Sequence, residues 1–197
     1  TALHDGFVAG SAFSPRNVKP KPAGGFDASE LKERSTGAAS KAQNAQLLEV
    51  IYRPDPSIID GRFANNGWLQ ELPKPLTKLT WDNAVLMSPA TAAKLGITYQ
   101  VGGTGGEHGT IYADVVELEY DGRRTRGPGW IVPGHADDCV TIHLGYGRRR
   151  AGRVGTNLGF NANALRTLDT LWHGTSIAIR KTGAQYALAC TQFHHLM

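Results

Sequence analysis

DVVELEYDGRRTRGPGWIVP, residues Asp114–Pro133, is the clearest hairpin in the chain. Val116, Leu118 and Tyr120 alternate with Glu117 and Glu119, the period-two pattern of a strand with one buried face. Asp121-Gly122 then supplies two residues that tolerate the positive φ angles of a type I′ turn. A second strand returns through Trp130, Ile131 and Val132. A chain whose strongest local signal is a tight antiparallel hairpin points to a mainly β domain.

Working outward, LLEVIYRP (Leu47–Pro54) reads as a strand that Pro54 and Pro56 stop. Turn signals follow at Asp60-Gly61 and Asn66-Gly67. Ala84–Met87 reads as a buried strand leading into a short helix, with Ser88 as N-cap, Pro89 at the first helical position and Gly96 as the stop. GGTGGEHG (Gly102–Gly109) reads as a loop, CVTIHLGYG as a strand from Cys139, and NANALRT as a helical turn. TSIAIRKTGAQYALAC (Thr175–Cys190) reads as a second hairpin turning at Lys181-Thr182-Gly183. The sum is about seven strands and two short helices, at the spacing of a barrel or sandwich. Upstream, residues 1–46 read as a flexible N-terminal arm, Pro-, Lys-, Ala-, Ser- and Gly-rich from Ser14 to Gln46. Within it, FDASELKERS could form one helix capped by Asp27 and Glu30. The domain proper is expected over 47–197.

Hydrophobic residues at 41% and charged residues at 19% exclude a disordered chain. No apolar run approaches the ~20 residues of a membrane helix, so direct membrane insertion by a helix is not expected. Opening on Thr1 and closing on CTQFHHLM, the sequence reads as a piece of a larger protein. Cys139 and Cys190 form no C-x-x-C, so no iron–sulfur or zinc framework is expected in this segment.

The chemistry-bearing stretch is HLGYGRRRAGRVGTNLGFNAN, His143–Asn163, with five glycines, four arginines, three asparagines and no Asp or Glu. Its arginines equal the whole formal net charge of +4. Glycine lets backbone N–H groups approach an anion, and arginine offers paired donors to phosphate oxygens. The standard phosphate loops are absent. Gly147 to Gly152 has the P-loop spacing, but Arg153-Val154 follow where Lys and Ser/Thr are required. Gly145-x-Gly147 continues to Arg150, so no dinucleotide fingerprint forms. An RGG-type nucleic-acid segment would need repeats and interleaved aromatics, and only Tyr146 and Phe160 are present. His135, Asp137 and Asp138 could ligate a metal or form an ordinary turn, and His194-His195 could bind a metal or simply mark where the segment was cut. Cys139 and His143 would lie about 13 Å apart along one strand, too far for a dyad. No serine sits in a nucleophile elbow. The residues alone leave two readings: a long surface loop with solvated arginines, or a stand-alone β-barrel module for anions or nucleic acid.

Four stretches taken in order add a third reading, a domain of a larger redox protein, by resemblance. RFANNGWLQELPKP, WDNAVLMSPATAAKLGI, VELEYDGRRTRGPGWIVPGHADDCVTIHLGYG and GFNANAL resemble the C-terminal, pterin-dinucleotide-binding domain of the molybdopterin oxidoreductases. The order agrees from about Leu47 to Cys190. Within that family the chain is most similar to the large iron–sulfur subunits of the alternative complex III type. The resemblance implies a six-stranded double-psi β-barrel with a few short helices. It implies a molybdopterin guanine dinucleotide cofactor in the parent subunit, unless the barrel is a vestigial scaffold without one, as that branch is held to be. By position it implies cofactor contacts from Trp68, Leu69 and Gln70, from His143, Gly145 and Tyr146, from the loop Arg148, Arg149, Arg150, and from Asn161 and Asn163. The family's metal ligand lies in another domain, so no metal site and no catalysis by this segment alone are expected. Implied partners are other domains of the parent subunit and, through it, the subunits of a membrane complex, with no nucleic acid. An exported bacterial subunit is the implied location.

Overall fold

The structure, a computed structural model, describes residues 5, 8–12, 14–17, 19, 47–102 and 110–191. Its contacts divide the chain into Thr1–Arg34 and Ser35–Met197. In the first unit, Ser11 turns back on Val8, whose carbonyl accepts from the Ser11 amide at 3.2 Å and its hydroxyl at 2.6 Å. The expected helix at Asp27 and Glu30, most of the Gly102–Gly109 loop and His194-His195 lie outside the described residues.

The second unit is mainly β. In chain order its strands are β1 (Leu47–Arg53), β2 (Leu79–Thr80), β3 (Val85–Met87), β4 (Tyr99–Gly102), β5 (Thr110–Tyr120), β6 (Arg123–Ile131), β7 (Cys139–His143) and β8 (His173–Cys190). Three short helices, α1 (Gly67–Glu71), α2 (Pro89–Leu95) and α3 (Gly152–Gly155), fill connections, and a 3-10 turn covers Ala162–Ala164. The sheet order is β2-β8-β1-β7-β3-β6-β5-β4, and β8 also pairs with β5. The pairings of β8, β1, β7, β3, β6 and β5 therefore return on themselves. Two of these junctions, β1 with β7 and β3 with β6, are parallel; the other four are antiparallel.

Local chemistry sets the elements. Asp121 and Gly122 take φ of 47° and 71°, so the β5–β6 turn has the two positive angles expected of it. Ser88 accepts the Thr91 amide at 3.1 Å and caps α2, while Gly96 ends it in the left-handed region. Glu117 on β5 faces Arg126 on β6 and Arg180 on β8, and both guanidiniums bond its carboxylate, which pins the register of three strands. The main core lies inside the ring of pairings, with Val50, Tyr52, Met87, Val116, Leu118, Val140, Ile142 and Ile177 all buried. A smaller cluster gathers Leu79, Leu86, Ile111 and Leu188 around Trp130, on which Tyr99 stacks at 5.2 Å.

The structure corrects one expectation. Thr175–Cys190 is not a hairpin but part of a single strand running against β5 from Ile111↔Leu188 to Glu119↔Ala178. Gly183 does take a positive φ of 83°, yet it sits in a bulge where β8 carries extra residues between Lys181 and Gln185. Thr182 closes the bulge by donating its hydroxyl to the Val115 carbonyl at 2.8 Å.

Candidate functional site

The segment after β7 is built on close backbone approaches. Gly145, at φ 102°, lies against the backbone of Gly61, and a Cβ at Gly147 would stand 2.2 Å from the Asn161 amide nitrogen. These contacts leave no room for a side chain at either position. Gly147 N–H bonds the Leu158 carbonyl and Asn157 N–H bonds the Arg148 carbonyl, each at 2.7 Å, so the arginine loop leaves and returns at one place. Asn83 ties the whole segment down. Its amide donates to the carbonyls of His143 at 2.9 Å and Phe160 at 3.0 Å, and its oxygen accepts from Phe160 N–H at 2.9 Å. One side chain thus replaces a missing stretch of ladder.

This folding gathers Gly145, Tyr146, Arg148, Arg149, Arg150, Asn161 and Asn163 around one cleft of 660 Å³. No carboxylate lines it. Arg148 braces the loop by donating to the Asp60 carbonyl at 2.6 Å and the Gly145 carbonyl at 3.3 Å. Arg149 and Arg150 are exposed and make no ion pair among the described residues. The Asn161 oxygen accepts the Asn163 amide at 3.0 Å, and the Asn163 oxygen accepts from Arg166 at 2.8 Å. With both amide oxygens engaged, the two side chains have NH₂ groups left to offer. The cleft is rich in donors and poor in acceptors, the composition that suits an anion.

The remaining expected contacts lie elsewhere. Trp68, on α1, is 87% exposed and lines a separate cleft of 580 Å³ with Arg62, Phe63 and Asn65. Leu69 packs beside buried Ile58, Ala64 and Tyr146. Gln70 is 1% exposed and donates to the Ala64 carbonyl at 2.9 Å. His143 lines a third cleft, described below. The turn His135–Asp138 does not converge on a metal. Asp137 accepts from the Ser88 hydroxyl, Asp138 pairs with Lys94 at 2.7 Å, and the His135 ring bonds the Ala136 carbonyl and the Thr141 hydroxyl. Among the described residues, no group of three His, Cys, Asp or Glu side chains could hold a metal ion.

Beneath Tyr146 lies a buried charged network that the sequence reading did not single out. Asp55 is 0% exposed; one carboxylate oxygen accepts the amides of Ser57 at 2.9 Å and Ile58 at 3.1 Å. Its other oxygen faces Lys74 Nζ at 3.6 Å and His143 Nδ1 at 3.8 Å. Lys74, 3% exposed, donates to the Asp82 carbonyl and to the Tyr146 hydroxyl, both at 2.9 Å, and lies over the Tyr146 ring. Asp82 in turn accepts the Gly159 amide and the Tyr186 hydroxyl at 3.0 Å. Burial pushes the Lys74 ammonium below its ordinary range, against the pull of Asp55. It also holds the His143 imidazole below its usual value, lifts the Asp82 carboxyl, and pushes Tyr186 up to about 12. Tyr146 is raised further by the same burial and by the charges of Asp55 and Asp82, so it stays a neutral hydroxyl. One signal was present in the sequence: both central charges stand alone between prolines, Pro54-Asp55-Pro56 and Pro73-Lys74-Pro75.

No protein family's sequence model matches the chain, and no curated protein matches it.

Proposed function

We propose that this chain is a double-psi β-barrel domain of a molybdopterin-oxidoreductase-type iron–sulfur subunit that takes part in respiratory electron transfer. The closed succession of six strand pairings, with two parallel junctions among four antiparallel ones, supports the barrel reading. The observation that carries the functional reading is the acceptor-poor cleft. Two arginines with no ion pair among the described residues and two asparagine NH₂ groups surround a space that could take a diphosphate and part of a purine or pterin. Arg149 and Arg150 would meet the phosphates of a molybdopterin guanine dinucleotide, and Asn161 and Asn163 would bond the heterocycle's oxygen and nitrogen acceptors. The cofactor would bring the redox chemistry, while these residues would bind and orient it. The domain acts with other domains of its parent subunit and, through them, with a membrane complex. Where the parent lacks the cofactor, the same barrel is a retained scaffold.

The test is on the intact parent subunit. Molybdenum and tungsten are measured by mass spectrometry, and released pterin by fluorescence after oxidation. Metal with about two pterins per subunit supports cofactor binding at this cleft. Absence of both overturns it and leaves the scaffold. Salt-sensitive binding of single-stranded oligonucleotides, with no affinity for guanosine diphosphate, would instead point to a stand-alone nucleic-acid module.

A further inference from the structure

The third cleft, 600 Å³, lies on a different set of elements from the arginine loop. Its walls come from β1, from the segment around Lys74–Thr77, from β7 and from the turn after β6. Ile51, Leu76, Leu86 and Val132 supply apolar surface, and Arg53 supplies a guanidinium. No Asp or Glu lines it. The volume lies within the usual range for small-ligand sites, roughly 300–1,000 Å³.

Charge within the cleft is not balanced. Lys74 is matched by Asp55 at 3.6 Å, and its N–H groups are engaged by Asp82 and Tyr146. Arg53 has no ion-pair partner among the described residues, whereas the His143 Nδ1 already faces the Asp55 carboxylate at 3.8 Å. Among the described residues one cation is therefore left over in a mainly apolar hollow. Leu76 lines the same hollow while 83% exposed, so a large apolar side chain stands uncovered at its open side. A ligand that complements these features has one negative end and an apolar body. A polyanion would meet too few donors, and a neutral hydrocarbon would leave the guanidinium unmatched.

We propose that this cleft is a binding site for a small organic monoanion with an apolar body, its anionic end held by Arg53 and its body lying against Ile51, Leu76, Leu86 and Val132. The site is separate from the arginine-loop cleft and does not depend on what that cleft binds.

The experiment is methyl-resolved NMR of the full chain titrated with sodium octanoate, with 1-octanol as the uncharged comparison. Octanoate is expected to shift the methyl signals of Ile51, Leu76, Leu86 and Val132 together, along one saturating curve. Octanol should bind about tenfold more weakly. Arg53→Gln, at an exposed position that leaves the core intact, should weaken octanoate by about tenfold, ~1.4 kcal/mol. No saturating shift up to about 10 mM octanoate overturns the proposal. So does octanol binding as well as octanoate, which would reduce the cleft to greasy surface. Unchanged affinity in Arg53→Gln overturns the anion-binding role.

Discussion

Arg149 and Arg150 stand exposed side by side, whereas Lys74 is buried beneath Tyr146. The first group keeps its hydration, so it can wait for a ligand at little energetic cost. The second has lost its water and must be matched at once, by Asp55, by the Asp82 carbonyl and by the Tyr146 hydroxyl. The difference separates positive charge used for binding from positive charge used to hold a structure together.

The largest effect should come from the buried side. Lys74→Met leaves the Asp55 carboxylate without its cation and should destabilise the domain by about 3–5 kcal/mol in urea unfolding. Adding Asp55→Asn should recover a good part of that loss. If the double variant is no better than the single one, packing and not charge is what Lys74 supplies. Next comes Asn83→Ala, which removes three hydrogen bonds, one to the His143 carbonyl at the end of β7 and two to the backbone of Phe160. A loss of about 2–3 kcal/mol is expected, with the largest amide-exchange changes in the arginine loop.

Smaller still is the effect of pH through His143. Its folded value lies below the ordinary 6.5, chiefly because of burial, so the unfolded chain takes up protons first. Stability is full above pH 6.5 and falls as pH drops from there through the folded value. His143→Gln should flatten the unfolding profile in that window. A steeper profile in the variant would assign the acid sensitivity to other groups. Asp82, raised from 3.8 by burial, works in the opposite sense, gaining stability as it takes up its proton. The smallest stability effect belongs to Arg149→Gln with Arg150→Gln, under about 0.5 kcal/mol. The same pair should abolish measurable guanosine diphosphate binding by calorimetry. Stability losses as large as that of Lys74→Met would erase the distinction drawn between the two regions.

The sequence announced the exposed charge and concealed the buried one, for a physical reason. Arginines near glycines in the chain end up near each other in space, because Gly145 and Gly147 fold the loop locally. Asp55 and His143 meet because β1 lies parallel to β7 with Arg53 opposite His143, and Lys74 joins them from the loop before β2. That register belongs to the whole sheet. The same limit explains the two turns. Asp121-Gly122 and Lys181-Thr182-Gly183 both contain a glycine at positive φ, and only the first reverses the chain. A local angle permits a hairpin or a bulge alike, and β5 decides between them by pairing with both halves of β8. Ser88, Pro89 and Gly96 were legible because a helix cap is satisfied within a few residues. Trp68 and Gln70, adjacent to Leu69, show the converse: helical geometry sends one outward and the other into the interior.

The long β8 strand has a consequence for how the protein is made. It contacts β1, the earliest described strand, through Leu48↔Ile177, and β5 through Leu118↔Ile179. Until the ribosome has released β8, β1 and β5 each expose an unpaired edge. Contacts so distant in the chain form slowly, and open edges pair readily with the wrong neighbour. The vulnerable period for this domain is therefore its synthesis, when the strand that will close it has not yet emerged.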